Sequence, residues 1–527
     1  AAIHAMFSPP PEYLLLQSAP QHWSASDVYA MGALMAFQSA NNMENELLRL
    51  ALRSELDHEK FAVFLPDDGL RADFPYVLPR STKITATLDR MAAANPLDTP
   101  LVPRFAFGSN GWVVAPKKSQ SGHALFAFDS HDALGVPNLF YEVHLFFGNG
   151  EQIRGWSVAG LPGVINGYNE KVAWGFTNIG DTQDLYLETR SEDDSLTFKD
   201  GDAWYEARVE TVEIPVSGRD TPELFSIVYT RNGPLISDDP PISLRWTVQD
   251  LNGLGIDTIL EFNRAQSAEH FAEVLNGFSA PALNATFADV EGNIGFRTAG
   301  LIPLRRAGEG LYPLPGDDST NRWLGVVAMN ELPRAINTQE GYLAAANARV
   351  NAAGNGPLVS ADNAAGYRIR RIQSVLSSKE KLDLDDMRAL QTDWYDGQAE
   401  LLLPVLLADV EADALTPRQR AAFDALSSWQ VEPVASPDSA AAIVFQAWYR
   451  ALAIEVFQSA LSADAFKHLF RSNYPLNHAL DRLLLREPES DWWRGDRRAR
   501  IALAVANASG EIRAIQGDDF GSWRLDR

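Results

Sequence analysis

The sequence predicts an α+β protein in which a strand-rich middle lies between helical flanks. Three observations predict it. Residues 112–188 run as short apolar stretches broken by turns. Residues 25–55, and the chain from about 360 onward, space their apolar residues as helices do. Neither a GxGxxG opening a helix nor a GxxxxGK[ST] is present, so a doubly wound nucleotide-binding fold has no support.

Taken in order, residues 7–23 are rich in Pro and aromatics and predict a loop. Ser24 with Asp27 three residues on predicts a capped helix start. One long helix is expected over 25–55, its apolar positions including Met31, Leu34, Leu47, Leu48 and Leu52. Residues 65–108 carry many Pro, Asp and Arg with little periodicity and predict an exposed, irregular segment. Strands are expected at WVVA, HALFAFD, FYEVHLFF, GLPGVING and KVAWGFT, then at ETVEIPV, LFSIVYT and ISLRWTV. SAEHFAEVLNGF predicts a helix capped by Ser267, and ALNATFADVEGNIGFRTAG a strand pair turning at Glu291-Gly292-Asn293. RIRRIQSVL, DLDDMRALQTDW, AELLLPVLLADV, PRQRAAFDALSSW and SAAAIVFQAWYRALAIEVF carry the helical pattern that follows.

The bulk properties exclude several classes. A length of 527 residues suits a large enzyme, and 46% apolar with 22% charged residues is ordinary for a globular chain. The 45 Lys+Arg against 69 Asp+Glu, a formal charge of −24, argue against nucleic acid as a partner, because phosphate binding needs a basic face. With no Cys there is no disulfide, thiolate nucleophile or thiolate metal site. No run of about 18 consecutive apolar residues suggests a membrane span. The opening AAIHAMFSPPPEYLL lacks the basic-then-apolar order of a signal peptide. GxSxG and HExxH are both absent, which removes the usual serine-hydrolase elbow and the zincin site.

What stands out is FGSNGWVVAPKKSQSGHALFAFDSHDALGVPNLFYEVHL. It resembles the start of the mature β-chain of the penicillin acylase family, where a Gly-Ser bond is cut and the serine becomes a new N-terminus. Here those residues are Gly108 and Ser109, followed by Asn110, Trp112, Val113 and Val114. The resemblance continues through GLPGVINGYNEKVAWGFTNIGDTQDLYLE, ISLRWTVQD, NATFADVEGNIGFRTAG, EGYLAAANARV and GYRIRRI, and back to ALMAFQSANNMENELLRLAL. It implies the four-layer αββα sandwich of N-terminal-nucleophile hydrolases, with added helical regions. The chemistry has a plain rationale: a serine hydroxyl needs a base beside it. An N-terminal serine carries one, an α-amine with a reference pKa of about 7.7–8.0. In the uncut chain the same nitrogen is a non-basic amide, so cleavage between Gly108 and Ser109 would create the base.

Other roles follow from the resemblance. His131 matches a residue near the nucleophile, Asn284 the side-chain donor of the oxyanion hole, and Asn178 the backbone donor. Arg305 matches an arginine that braces Asn284. A structural calcium ion is implied on Glu46, Asp181, Gln183 and Asp184. Asp132, Ser39 and Ala40 match positions of the acyl pocket. Asp132 replaces an apolar residue, Ser39 and Ala40 are smaller than an aromatic-acyl pocket carries, and Ala348 stands where a second Asn is common.

The implied organisation is an upstream helical part over 1–79, a spacer over 80–108, a strand-rich core over 109–359 and a helical region over 360–527. It implies a heterodimer of α- and β-chains cut from one precursor, in the periplasm or secreted, acting on a small N-acyl amide with neither nucleic acid nor membrane as partner. Two rivals stand beside this reading: an uncut serine hydrolase using His131 with Asp129 or Asp132, and an inactive binding protein on the same scaffold.

Overall fold

The computed structural model describes residues 22–66 (except 41), 83–94, 108–132 and 138–525 (except 217, 250–253, 352–354 and 473), with 13, 15, 17 and 19. Most of the loop expected over 7–23, and much of the irregular segment expected over 65–108, therefore lies outside the described residues.

Two sheets stack at the centre. In the first, β1 (Gly108–Val114) runs between β2 (Leu125–His131) and β18 (Tyr342–Ala345), antiparallel to both. The second comprises β3 (Phe140–Phe146), β4 (Gln152–Val158), β5 (Asn166–Asn169), β6 (Val172–Asn178), β14 (Leu283–Asp289), β15 (Ile294–Ala299) and β17 (Arg334–Ile336), in the order β17-β15-β14-β6-β5-β4-β3. A further sheet joins β7 (Gln183–Leu187), β12 (Leu235–Asp238), β13 (Pro241–Trp246) and β16 (Leu314–Pro315). The pairs β8 (Thr197–Asp200) with β9 (Ala203–Glu206), and β10 (Arg208–Ile214) with β11 (Glu223–Tyr229), stand apart.

Period-two alternation decides what each strand face meets. Trp112 and Val114 of β1, with Leu125 and Ala127 of β2, pack outward on helices Tyr367–Ser378 and Leu384–Gln391 through Ile372, Leu376, Met387 and Leu390. Val113 faces the other way and packs with Ala288 and Ile294 of the second sheet. The sheets come close because glycine lines their contact: a Cβ at Gly175 would meet the Phe128 ring at 2.5 Å. The outer face of the second sheet, with Trp174, Phe176, Ala285 and Phe287, is covered by Phe262 and Phe271 from helices Asp257–Phe262 and Ala268–Val274. The layers therefore run helix, sheet, sheet, helix.

The long helix expected over 25–55 is two helices, Ala25–Ser39 and Asn42–Glu55, because Ala40 takes an extended conformation (φ −89°, ψ 108°) and stops the first. Ser24 and Asp27 form the expected capping box, and Ser267 accepts from the His270 N–H as expected. The segment expected to be irregular contains a helix, Lys83–Ala94, whose Ile84 and Leu88, one turn apart, are buried in the central core. GLPGVING is mostly turn, with Gly160 and Gly163 at positive φ, and only its end joins β5. Helix Ala440–Phe457 is long and apolar enough to cross a membrane by composition, but it is a buried helix of the C-terminal core, packed beside Arg497–Gln516. Helix Asn42–Glu55 joins two cores: Leu47 and Leu50 enter the sheet body, Leu48 and Leu52 the C-terminal helices.

Candidate active site

Ser109 lies near the start of β1, opposite Ser130 of β2, and is 5% exposed. It shares a face with Gly111 and Val113, so its side chain belongs to the space between the sheets. Strand β18 pairs with β1 from Gly111↔Ala345. Continued by two residues, that register puts Asn347 across from Ser109, and the contacts agree. The Ser109 N–H donates to Asn347 Oδ1 (2.7 Å), and Asn347 Nδ2 donates to Ser109 Oγ (3.3 Å) and to the Asn178 carbonyl (2.9 Å). Asn347 is in the left-handed region at φ 57°. Such backbone costs of order 1 kcal/mol or more outside glycine, and Asn tolerates it best.

Arg368, on helix Tyr367–Ser378, braces this group from the helix side. It donates to the Ser109 carbonyl (2.9 Å), Asn110 Oδ1 (2.6 Å) and Asn347 Oδ1 (3.0 Å). Burial pulls its guanidinium pKa down from the ordinary value. The same guanidinium explains Gly108: a Cβ there would meet Arg368 Nη2 at 2.8 Å and Asn347 Oδ1 at 3.1 Å. A small cleft opens beside Ser109's partners, lined by Asn178, Asn284, Asn347, Arg349, Ser360 and Asn363.

The residues expected from the sequence are distributed as follows. Asn178 ends β6; its carbonyl meets Asn347 and its Nδ2 donates to the Ser39 carbonyl (2.8 Å). Ser39 is thereby tied to the site, and Ala40 beside it is buried. Asn284 lines the cleft, with its Oδ1 fixed by the Thr298 hydroxyl (2.7 Å). The side-chain amide in contact with Ser109 is Asn347, and Asn284 takes its brace from Thr298, not from Arg305. His131 is opposite Gly108 in the ladder, so its ring points to the face away from Ser109 Oγ. There its Nε2 meets Asp129 Oδ2 (2.5 Å) and Asn110 Nδ2 (3.1 Å). A Ser109–His131–Asp129 relay does not form, because period-two alternation puts the Ser109 side chain on the opposite face from His131 and Asp129. Asp132 is exposed.

Arg305 sits elsewhere, inside the acidic group expected to hold calcium. Its Nε donates to both oxygens of Asp184 (2.8 and 2.9 Å), and its Nη2 to Asp181 Oδ1 (2.6 Å) and the Gln183 carbonyl (3.1 Å). Glu46 is buried beside them and accepts from the Leu185 N–H (3.1 Å). Burial, then the charge of Asp184, push the Glu46 carboxyl well above its usual range; burial raises Asp181 to about 6 despite Arg305. Burial opposes the Arg305 charge, but Asp181 and Asp184 outweigh it and hold the guanidinium above its ordinary value. Arranged this way the residues do not fit a calcium ion, since the carboxylate oxygens it would need already accept from the Arg305 guanidinium or from other N–H donors.

Asn347 and Arg368 were within quoted motifs, AAANARV and GYRIRRI, but nothing in the sequence alone singles them out. The register of β18 on β1 identifies Asn347.

A family model described as penicillin amidase matches residues 1–527. The chain is 29% identical to an acyl-homoserine lactone acylase, QuiP, of Pseudomonas fluorescens, over 96% of this chain and 65% of that protein. It is 25% identical to penicillin G acylase of Escherichia coli, over 61% of this chain and 38% of that one. Among solved structures, a thermostable penicillin G acylase from Alcaligenes faecalis superposes with a TM-score of 0.64 at 19% identity, covering 79% of this chain and 80% of that one. The likeness extends to the N-terminal-nucleophile hydrolase fold, and the chain spans about two thirds of the length of the first of these relatives.

Proposed function

Starting from the fact that this chain belongs to the penicillin amidase family, we propose that it hydrolyses N-acyl amides through an acyl-enzyme on Ser109, after cleavage of its own 108–109 bond. The observation that carries the reading is the clasp of Asn347 on both the nitrogen and the hydroxyl of Ser109. In the precursor, Ser109 Oγ attacks the Gly108 carbonyl. The amide nitrogen leaves, and water hydrolyses the resulting ester. Ser109 then has a free α-amine, which takes the Oγ proton when Oγ attacks a substrate carbonyl. The amine of the substrate leaves with that proton, and a water releases the acid.

Asn347 Nδ2 and the Asn178 N–H are the proposed oxyanion donors, each worth about 3 kcal/mol in the transition state. Arg368 holds Asn347 and β1 in place. The small Ser39 and Ala40 support an aliphatic acyl group, and the relative's name supports acyl-homoserine lactones as the first substrates to try. The two fragments would stay together as a heterodimer, in the periplasm or outside the cell.

Intact mass measured beside turnover tests this. The expected result is two chains divided at 108/109, with activity on acyl-homoserine lactones of graded length exceeding that on a phenylacetyl amide. Ser109→Ala is expected to stay in one piece and to be inactive. An active preparation in which residue 109 remains in an uncut chain would refute the proposal. The acid limb of kcat/KM should report the amine: activity falls as pH drops through its pKa, about 7.7–8.0 unperturbed, because the protonated amine accepts nothing.

A further inference from the structure

The acidic centre against helix Asn42–Glu55 has a cation built into the chain. We propose that the Arg305 guanidinium is the resident cation of this centre, and that the protein closes it without a divalent metal. The inference concerns the uncut chain as much as the cut one, so it stands apart from the chemistry proposed for Ser109.

The geometry is that of a fork on carboxylates. Asp184 is held through both oxygens and Asp181 through one, while the Gln183 carbonyl completes the set. The side chains of Arg305, Asp181 and Asp184 are 6%, 1% and 5% exposed, so water does not compete for them. The remaining carboxylate oxygens are also used. Asp181 Oδ2 accepts from the Ala361 N–H (2.9 Å), Asp184 Oδ2 from the Trp323 indole, and Glu46 Oε1 from Asn42 Nδ2 (3.2 Å). A hard cation needs 6–8 oxygens with free lone pairs at about 2.3–2.6 Å. Here the lone pairs face N–H donors, and a planar guanidinium satisfies two carboxylates at once as a point charge does not.

The placement has a consequence for assembly. Glu46 and Asn42 come from upstream of the 108–109 bond; Arg305, Asp181, Gln183 and Asp184 come from downstream. Asn42 Nδ2 also donates to the Gln183 carbonyl that Arg305 holds. The two sides are thus clasped by groups the chain supplies itself.

Elemental analysis and thermal unfolding of the full chain, as purified, test this. Less than a tenth of a calcium per chain is expected, as an order-of-magnitude threshold, with the same unfolding midpoint in excess EGTA and in millimolar Ca²⁺. One calcium per chain, or a midpoint lowered by EGTA, would overturn it. Arg305→Ala leaves the carboxylates without their cation, and its midpoint in EGTA should fall by several degrees and recover on adding Ca²⁺. A variant as stable in EGTA as the parent would also overturn it. Where that variant does not fold, Arg305→Gln, which removes the charge and keeps much of the volume, carries the same comparison.

Discussion

Asn347 is the residue on which the site turns, and it holds its position at a cost. Its amide touches the nitrogen and hydroxyl of Ser109 from a left-handed backbone position. Asn347→Ala is expected to lower kcat by about 10²–10³, the usual loss for one oxyanion donor, whereas Asn284→Ala, which loses a cleft-lining amide, should cost far less. Comparing kcat and KM for the two variants checks this. Gly108→Val should block maturation, since its Cβ would enter the space of Arg368 Nη2; the precursor band would persist on a denaturing gel. At this scale the sequence was only partly legible. Gly108 and Ser109 stand out through the family resemblance carried by motifs along most of the chain, not through the local tripeptide alone. Asn347 and Arg368 do not, because their importance depends on a strand and a helix brought from far along the chain. The resemblance assigned the brace to Arg305, but a motif match says nothing about which carboxylates a guanidinium finds, and Arg305 pairs with Asp181 and Asp184 instead.

Elements were more legible, since period and caps are local. The strands WVVA, HALFAFD, FYEVHLFF and KVAWGFT became β1, β2, β3 and β6, and the helices from about 360 onward formed where apolar spacing predicted. Helix Lys83–Ala94 is hard to read from the sequence because its buried Ile84 and Leu88 are interleaved with buried polar Thr85 and Thr87. The break before helix Asn42–Glu55 leaves no mark in the apolar spacing because it is short, falling between Ser39 and Asn42 with Ala40 extended. Ser267→Ala removes an N-cap and should destabilise the fold by about 1 kcal/mol. Phe271→Ala, which opens the cluster with Trp174 (ring centroids 5.8 Å) and Phe287 (5.0 Å), should cost about 3–5 kcal/mol. Urea unfolding of both variants ranks them, and the reverse order would contradict this account of the core.

At the scale of the whole molecule, the two largest hydrophobic cores among the described residues share helix Asn42–Glu55, which contributes to both. A chain cut at 108/109 should therefore elute as one particle and separate only under denaturing conditions; size exclusion followed by a denaturing gel measures this. The α+β class was legible from the order of strands and helices, and the four-layer stacking through the family resemblance; the pairing of β18 with β1 was not legible, because it joins residues at opposite ends of the strand-rich region.

Strand β1 has a neighbour on each side, and severing the bond before Ser109 removes neither. The fresh terminus is thus born already anchored, with no search through conformations separating the precursor from the competent form. Maturation should accordingly proceed as a single exponential whose rate is indifferent to protein concentration.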